Sequence, residues 1–157
     1  KFPKFRHNDL KINNVLVSYN PRFKTYTQNA KYYVDENLKF EIPVNMCLSA
    51  KIMDFDFSCI ESHIENQKVN AKWTNKINVS NQENKYYDMF FFLKTLTLYI
   101  DKTNIPDDVM KFIYHVIPPD LSMNSRNCSE KGRILIHDEI YNCYNILKHN
   151  FFQEFRC

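Results

Sequence analysis

Short β-branched apolar runs mark the first third of the chain, and longer apolar blocks without breakers mark the second half. Residues 14–18 (Asn-Val-Leu-Val-Ser) have the pattern of a strand. Residues 19–30 are polar and contain Pro21, which predicts a loop. Residues 32–34 and 38–42 flank Asp35-Glu36-Asn37, the pattern of a hairpin turn between short strands. Residues 48–53 form a further strand candidate that runs straight into Asp54. Residues 58–85 are rich in Asn, Lys and Ser around a lone Trp73, which predicts a long surface segment. Loops of that length in a compact domain are usually functional or mobile. Residues 86–100 predict a buried helix. Residues 107–116 predict another, with Val109, Met110, Ile113 and Val116 at helical spacing and Pro106 just before its start. Pro118 and Pro119 end it, residues 122–132 read as a loop, and residues 137–149 predict a last helix with Ile140, Cys143, Tyr144 and Leu147 on one face. Strands first and helices after imply an α+β fold, a small sheet backed by a helical body.

Composition narrows the function classes. The chain has 157 residues, enough for one domain with a core. Its net charge of +3 includes no basic run, which argues against nucleic acid or an anionic membrane as partner. The longest strongly apolar stretch, Met89 to Leu93, stops at Lys94, too short for a membrane span, and the first residues do not read as a signal peptide. Five widely spaced cysteines without a Cys-x-x-Cys pair favour reduced thiols over a disulfide framework or structural zinc, and hence a cytoplasmic setting. The abundance of Asn, Lys, Ile, Tyr and Phe matches AT-rich codons. Gly132 is the only glycine, so no glycine-rich phosphate loop can lie within these residues. The chain begins at Lys1 with its first motif a few residues in, which leads us to expect a piece of a longer protein.

Two constellations carry chemistry. His7-Asn8-Asp9-Leu10-Lys11-Ile12-Asn13-Asn14 runs directly into Val-Leu-Val. Phosphoryl transfer needs a carboxylate near the attacking hydroxyl, ligands for the metal that holds the phosphates, and positive charge on the transferred group. Asp9, Lys11 and Asn14 supply one of each, with Val15 and Val17 expected to anchor the following strand in the core. The second constellation is Lys51-Ile52-Met53-Asp54-Phe55-Asp56, an acid at the end of a strand followed by an aromatic.

The first motif resembles the protein-kinase catalytic loop His-Arg-Asp-Leu-x-x-x-Asn, and the second resembles Asp-Phe-Gly. Tyr86-Tyr87-Asp88 before a Phe-rich run is similar to the start of the family's αF helix, whose acid binds the backbone of the catalytic loop. Residues 146–152 look like the Leu-Leu-x-His-Pro-Phe-Phe ending near the kinase C-terminus. The likeness is greatest to the divergent serine/threonine kinases of large nucleocytoplasmic DNA viruses. It implies a mainly α-helical kinase C-lobe with short strands at the cleft and the N-lobe absent. The implied plan is a catalytic loop at 7–14, an insertion at 19–47, a metal-binding motif at 54–56, an activation-like segment at 57–85 and a helical body at 86–157. It further implies ATP and Mg²⁺ as cofactors and a protein substrate. Asp9 would be the catalytic base, Lys11 the group on the transferring phosphate, and Asn14 and Asp54 the metal ligands. A viral origin would place the protein in the host cytoplasm or the virion.

Asn8 stands where many kinases have an Arg that pairs with a phosphorylated activation loop, and Asp56 stands where they have glycine. No Ala-Pro-Glu closes the activation segment. These departures keep a pseudokinase or interaction module in view. A small-molecule kinase of the aminoglycoside or choline type is a third reading, opposed by Lys11. His7 is expected to be a packed structural residue and Asp88 a buried structural acid. Asp56 should face away from Asp54 if the strand continues. Cys59 should be a buried, inert thiol and Trp73 a local anchor. His63, His115, His137 and His149 lack metal spacing.

Overall fold

The computed structural model describes residues 4–121, 125–138 and 140–157. Among these, the strands form three separate two-stranded antiparallel ribbons rather than one sheet. β1 (Phe5–Arg6) pairs with β6 (Cys59–Ile60). β2 (Val15–Tyr19) pairs with β5 (Leu48–Ile52), from Val15↔Ile52 to Tyr19↔Leu48. β3 (Asn29–Tyr33) pairs with β4 (Lys39–Pro43).

The expected hairpin is present, and its turn has a chemical cause. Asp35 Oδ1 accepts from the backbone N–H of Asn37 (2.7 Å) and of Leu38 (2.9 Å), the Asx geometry that short acids favour. The segment expected to be a loop at 19–30 is shorter. Asn20 caps a 3-10 turn over Pro21–Thr25, and β3 already begins at Asn29. At the neck of this excursion Asn20 N–H donates to Cys47 O at 2.8 Å. Its far end is buried at Leu38 and Phe40, where Phe40 bridges to Arg156 and meets the Phe152 ring edge-on at 6.2 Å.

The expectation that Val15 and Val17 anchor the strand in the core fails. Val17 is 62% exposed and Val15 only partly buried. A two-stranded ribbon with no layer on its outer face holds its strand by ladder hydrogen bonds and not by side-chain burial.

The core lies in the second half. α2 (Lys85–Tyr99) starts where the Asn84 side chain accepts from Tyr87 N–H, and it buries Tyr86, Tyr87, Phe90, Phe91 and Leu93. α3 (Asp107–Val116) carries Asp107 and Asp108 in its first turn and His115 in its last, matching its dipole. Phe112, Ile113 and Val116 of α3 pack on the α2 face together with Leu121 and Ile134. Each such side chain contributes roughly 1.5–3 kcal/mol on burial. Phe112 also stacks on Phe151 at 4.5 Å and takes Phe152 edge-on at 5.2 Å, so the chain's last residues close the far side of this core.

Two expectations need correction. The polar segment 58–85 is not mainly a surface loop. It contains β6, a 3-10 turn over Gln67–Asn70 and the short α1 (Lys72–Asn75), and it buries Cys59, Val69, Thr74, Asn78 and Val79. Its amides bond inward. Asn66 donates to Asp56 O and Ser58 O, and Asn78 donates to Ile136 O. Of the helix expected over 137–149, residue 139 lies outside the described residues, and the described ones are α-helical only in α4 (Cys143–Leu147). The carbonyls of Ile136 and His137 accept from the side chains of Asn78 and Asn84, which tie the chain before α4 to the polar segment. Of the expected loop at 122–132, residues 122–124 lie outside the described residues. Among the described residues no helix is long and apolar enough to cross a membrane.

Candidate active site

The loop between β1 and β2 is held from below by α2. Asp88 sits in the first turn of α2, and its two carboxylate oxygens accept from the backbone N–H groups of His7 (2.6 Å) and Asn8 (2.9 Å). Burial pushes the Asp88 carboxyl above the usual range, while the His7 N–H and the Arg6 guanidinium favour its charged form. Two turns further along α2, Thr95 Oγ1 accepts from Ile12 N–H at 2.9 Å. The loop therefore rests on one face of the helix at both ends.

Asn8 takes a left-handed backbone (φ 65°), a conformation that Asn tolerates better than most residues. Its amide donates to Phe57 O (3.0 Å) and Ser80 O (2.9 Å) and accepts from Ser80 N–H (3.3 Å). It thereby staples the loop to the segment after the second motif. Arg6, fully buried, donates to Ser80 Oγ and to the carbonyls of Gln82 and Asn78, and its guanidinium lies 4.1 Å over the Tyr87 ring.

Asp9, Lys11 and Asn14 form one cluster. Lys11 Nζ reaches Asp9 Oδ2 at 2.8 Å. Asn14 Nδ2 donates to Asp9 O (2.8 Å) and Asp9 Oδ2 (3.1 Å). Asp9 and Asn14 are buried, whereas Lys11 is partly open. Since the amide nitrogen of Asn14 is turned to Asp9, its carbonyl oxygen is left as the free acceptor.

Asp54 lies in a different environment. It is exposed, has φ 63°, and its carboxylate meets no donor among the described residues. It is tied to the first motif through the neighbouring residue. Met53 N–H donates to Asn14 O at 2.9 Å, and Met53 O lies 3.1 Å from His7 Nε2. His7 is buried, and its ring packs 5.0 Å from Phe55. Asp9 N–H points at His7 Nδ1 (3.3 Å), so Nε2 carries the proton that bonds Met53. Both acceptors suited to a hard cation, the Asn14 side-chain carbonyl and the Asp54 carboxylate, are therefore unspent, and their oxygen chemistry is of the kind that could hold Mg²⁺. The strand ends at Ile52, so the alternation expected for Asp56 does not apply. Asp56 instead makes an exposed ion pair with Lys68 at 2.9 Å. Burial raises the Cys59 thiol pKa, and the thiol lies against Asn8 Nδ2 at 3.5 Å, in keeping with an inert packing role. Trp73 meets Phe57 edge-on at 5.8 Å and remains half-exposed.

One contact has no counterpart in the two motifs. Arg133 donates to Asp9 Oδ1, to Asn8 O (2.7 Å) and to Tyr87 Oη (2.8 Å). It lies more than a hundred residues from Asp9 in sequence, and no pattern around it suggested a role. The sole nearby signal is Gly132, the chain's single glycine. An open cleft of about 790 Å³ borders these groups, and Asp9, Lys11, Trp73, Phe91, Tyr99 and Arg133 are among the residues that line it.

A loop that joins a carboxylate, a lysine and an amide, wired to an acid at the end of the next strand, has the parts of a phosphotransferase of the protein-kinase type. The comparison with known families agrees. The family model described as poxvirus serine/threonine protein kinase matches residues 1–155, and the chain belongs to that family. It is 37% identical over 155 residues to the Acanthamoeba polyphaga mimivirus protein named "Putative serine/threonine-protein kinase R400", covering 94% of this chain and 32% of that protein. It is 36% identical over 92 residues to "Putative serine/threonine-protein kinase R301" of the same virus, covering 56% of this chain and 22% of that protein. The chain thus spans a third or less of the length of these relatives. No solved structure matches it.

Proposed function

We propose that the protein containing this chain transfers the γ-phosphoryl group of ATP to serine or threonine hydroxyls of protein substrates, and that residues 1–157 are the C-lobe of its kinase domain. The observation that carries the proposal is the bonded cluster of Asp9, Lys11 and Asn14, joined to the Asp54 strand end through Met53. Family membership supports the same reading.

In this scheme the substrate oxygen forms a bond to phosphorus as the bond from the γ-phosphorus to the bridging oxygen breaks. The substrate proton passes to Asp9, and ADP leaves with the bridging oxygen. Lys11, within reach of the same carboxylate, stabilises charge on the transferring group. The Asn14 carbonyl and the Asp54 carboxylate would hold Mg²⁺, which neutralises phosphate charge when bound. Residues 19–47 are then an insertion between the two motifs, 57–85 an activation-like segment and 86–157 the helical body. The open face above Asp54 and the β2–β5 ribbon is where an N-lobe supplied by the rest of the protein would close over ATP. We accordingly expect little phosphotransfer from the 157-residue chain by itself, and action in the cytoplasm on protein rather than nucleic acid.

The test is labelled-phosphate transfer by the full-length protein to protein substrates, with aminoglycosides and choline as competing acceptors. Transfer to protein that disappears in Asp9→Asn is the expected result. Transfer to the small acceptors alone would replace the reading with a small-molecule kinase. Mg²⁺-dependent ATP binding without turnover would replace it with a pseudokinase.

A further inference from the structure

We propose that Arg133 is a positioning residue for the catalytic carboxylate, holding Asp9 in its working orientation from outside both motifs. The inference rests on the assignment of Asp9 as the base and adds a group that neither motif contains.

The geometry is that of a fork with one fixed tine. Arg133 Nη1 is held by Asn8 O at 2.7 Å and Tyr87 Oη at 2.8 Å, and neither acceptor takes part in phosphoryl transfer. Nη2 of the same planar group donates to Asp9 Oδ1. The guanidinium also lies 4.3 Å over the Phe91 ring, which fixes its plane. Tyr87 and Phe91 both belong to α2, the helix that holds the catalytic loop through Asp88. One element therefore sets both the height of the loop and the direction of its acid. Lys11 and Asn14 occupy the other carboxylate oxygen, so Arg133 decides where Oδ1 stands.

The backbone that delivers Arg133 is built for the purpose. Cys128 and Ile134 form an antiparallel bridge. Inside it Gly132 N–H donates to Ser129 O (2.9 Å), Arg133 N–H to Ser129 Oγ (2.9 Å) and Ser129 N–H to Arg133 O (2.8 Å). Gly132 has φ +85°, and a Cβ there would come within 3.0 Å of Leu98 and Lys94 of α2. The chain's one glycine is thus spent on bringing this turn against α2 one residue before the arginine. The side chain is only 13% exposed yet lines the cleft beside Asp9. A small ion entering that cleft can reach the place of the guanidinium.

The test uses full-length protein with saturating ATP and a protein substrate. Arg133→Ala should lower kcat by about a hundredfold, the usual cost of a misplaced reacting group, with KM for ATP little changed. Millimolar guanidinium should restore part of that loss in Arg133→Ala and do nothing for wild type or Asp9→Asn. Arg133→Lys should stay well below wild type, because a single ammonium cannot serve both tines. Thermal unfolding of each variant separates a folding defect from a positioning one, and guanidinium rescue of kcat is a readout that a purely structural arginine would not give. Unchanged or raised kcat in Arg133→Ala, or a loss that guanidinium does not restore, would overturn the assignment. Wild-type protein without any phosphotransfer would instead sink the kinase reading, and the role of Arg133 with it.

Discussion

The two acids that the motifs single out sit in opposite surroundings. Asp9 is buried and accepts from Lys11, Asn14 and Arg133. Asp54 is exposed on a left-handed residue and accepts from nothing among the described residues. A general base gains from being held before substrate arrives, because misorientation raises the barrier directly. A metal ligand gains from unspent lone pairs, because the cation and its phosphates must complete its shell. The contrast is what a divided site would show, with the base prepared by this chain and the nucleotide side left open.

That contrast makes mutational predictions with very different sizes. Asp54→Ala should reduce phosphotransfer by the full-length protein by about a thousandfold, since metal stabilisation of phosphate charge amounts to several kcal/mol. Its melting temperature should stay close to wild type, as for other exposed substitutions. A large loss of stability in Asp54→Ala would erase the distinction between the two regions. Next in size is Asp88→Ala, read by denaturant unfolding. It strips the buried N–H groups of His7 and Asn8 of their acceptor and leaves Arg6 without a nearby anion, so a loss of about 3 kcal/mol is expected. Asp88→Asn keeps one acceptor and should cost about half as much.

A weaker effect concerns pH. Partial burial, with His115 and Arg156 nearby, lowers the His149 pKa below its ordinary 6.5. Neutral Nδ1 also accepts from Phe151 N–H at 3.1 Å, a bond that a proton on Nδ1 would abolish. The folded chain therefore binds fewer protons than the unfolded chain below pH 6.5. Stability should be complete above that point and decline as pH falls through it. Unfolding curves from pH 7.5 to 5 should show this slope, and His149→Asn should flatten it. The smallest effect belongs to the Lys68–Asp56 pair. Both partners are well exposed, so Lys68→Ala should leave stability within about 0.5 kcal/mol of wild type.

Legibility followed the range of the interactions. The β3–β4 hairpin and the helices α2 and α3 could be read from local patterning, because each is stabilised by contacts close in sequence or by dense apolar residues, and β2 and β5 showed as short apolar runs although they pair with each other across the excursion. The cluster of Asp9, Lys11 and Asn14 was readable for the same reason, its members lying within six positions. Arg133 was not, because its contact with Asp9 depends on a turn that docks on α2 from far along the chain. The polar segment misled in a related way. Asn66, Asn78 and Ser80 look like solvated residues in one dimension, but their hydrogen bonds run inward to Ser58, Ile136 and Asn8. Asn78 and Asn84 reach the carbonyls of Ile136 and His137 from more than fifty residues away, a tie that local patterning does not show.

The neck between Asn20 and Cys47 has a consequence for how this family can vary. Tyr19 faces Leu48, and everything between them leaves and returns at one point of the β2–β5 ladder. Evolution can lengthen, shorten or replace that excursion without shifting the register that sets Asn14 against Met53, the residue before Asp54. The entropic cost of a longer detour grows only logarithmically. Lineages should therefore differ most in this stretch while the two motifs on either side of it keep their spacing in three dimensions.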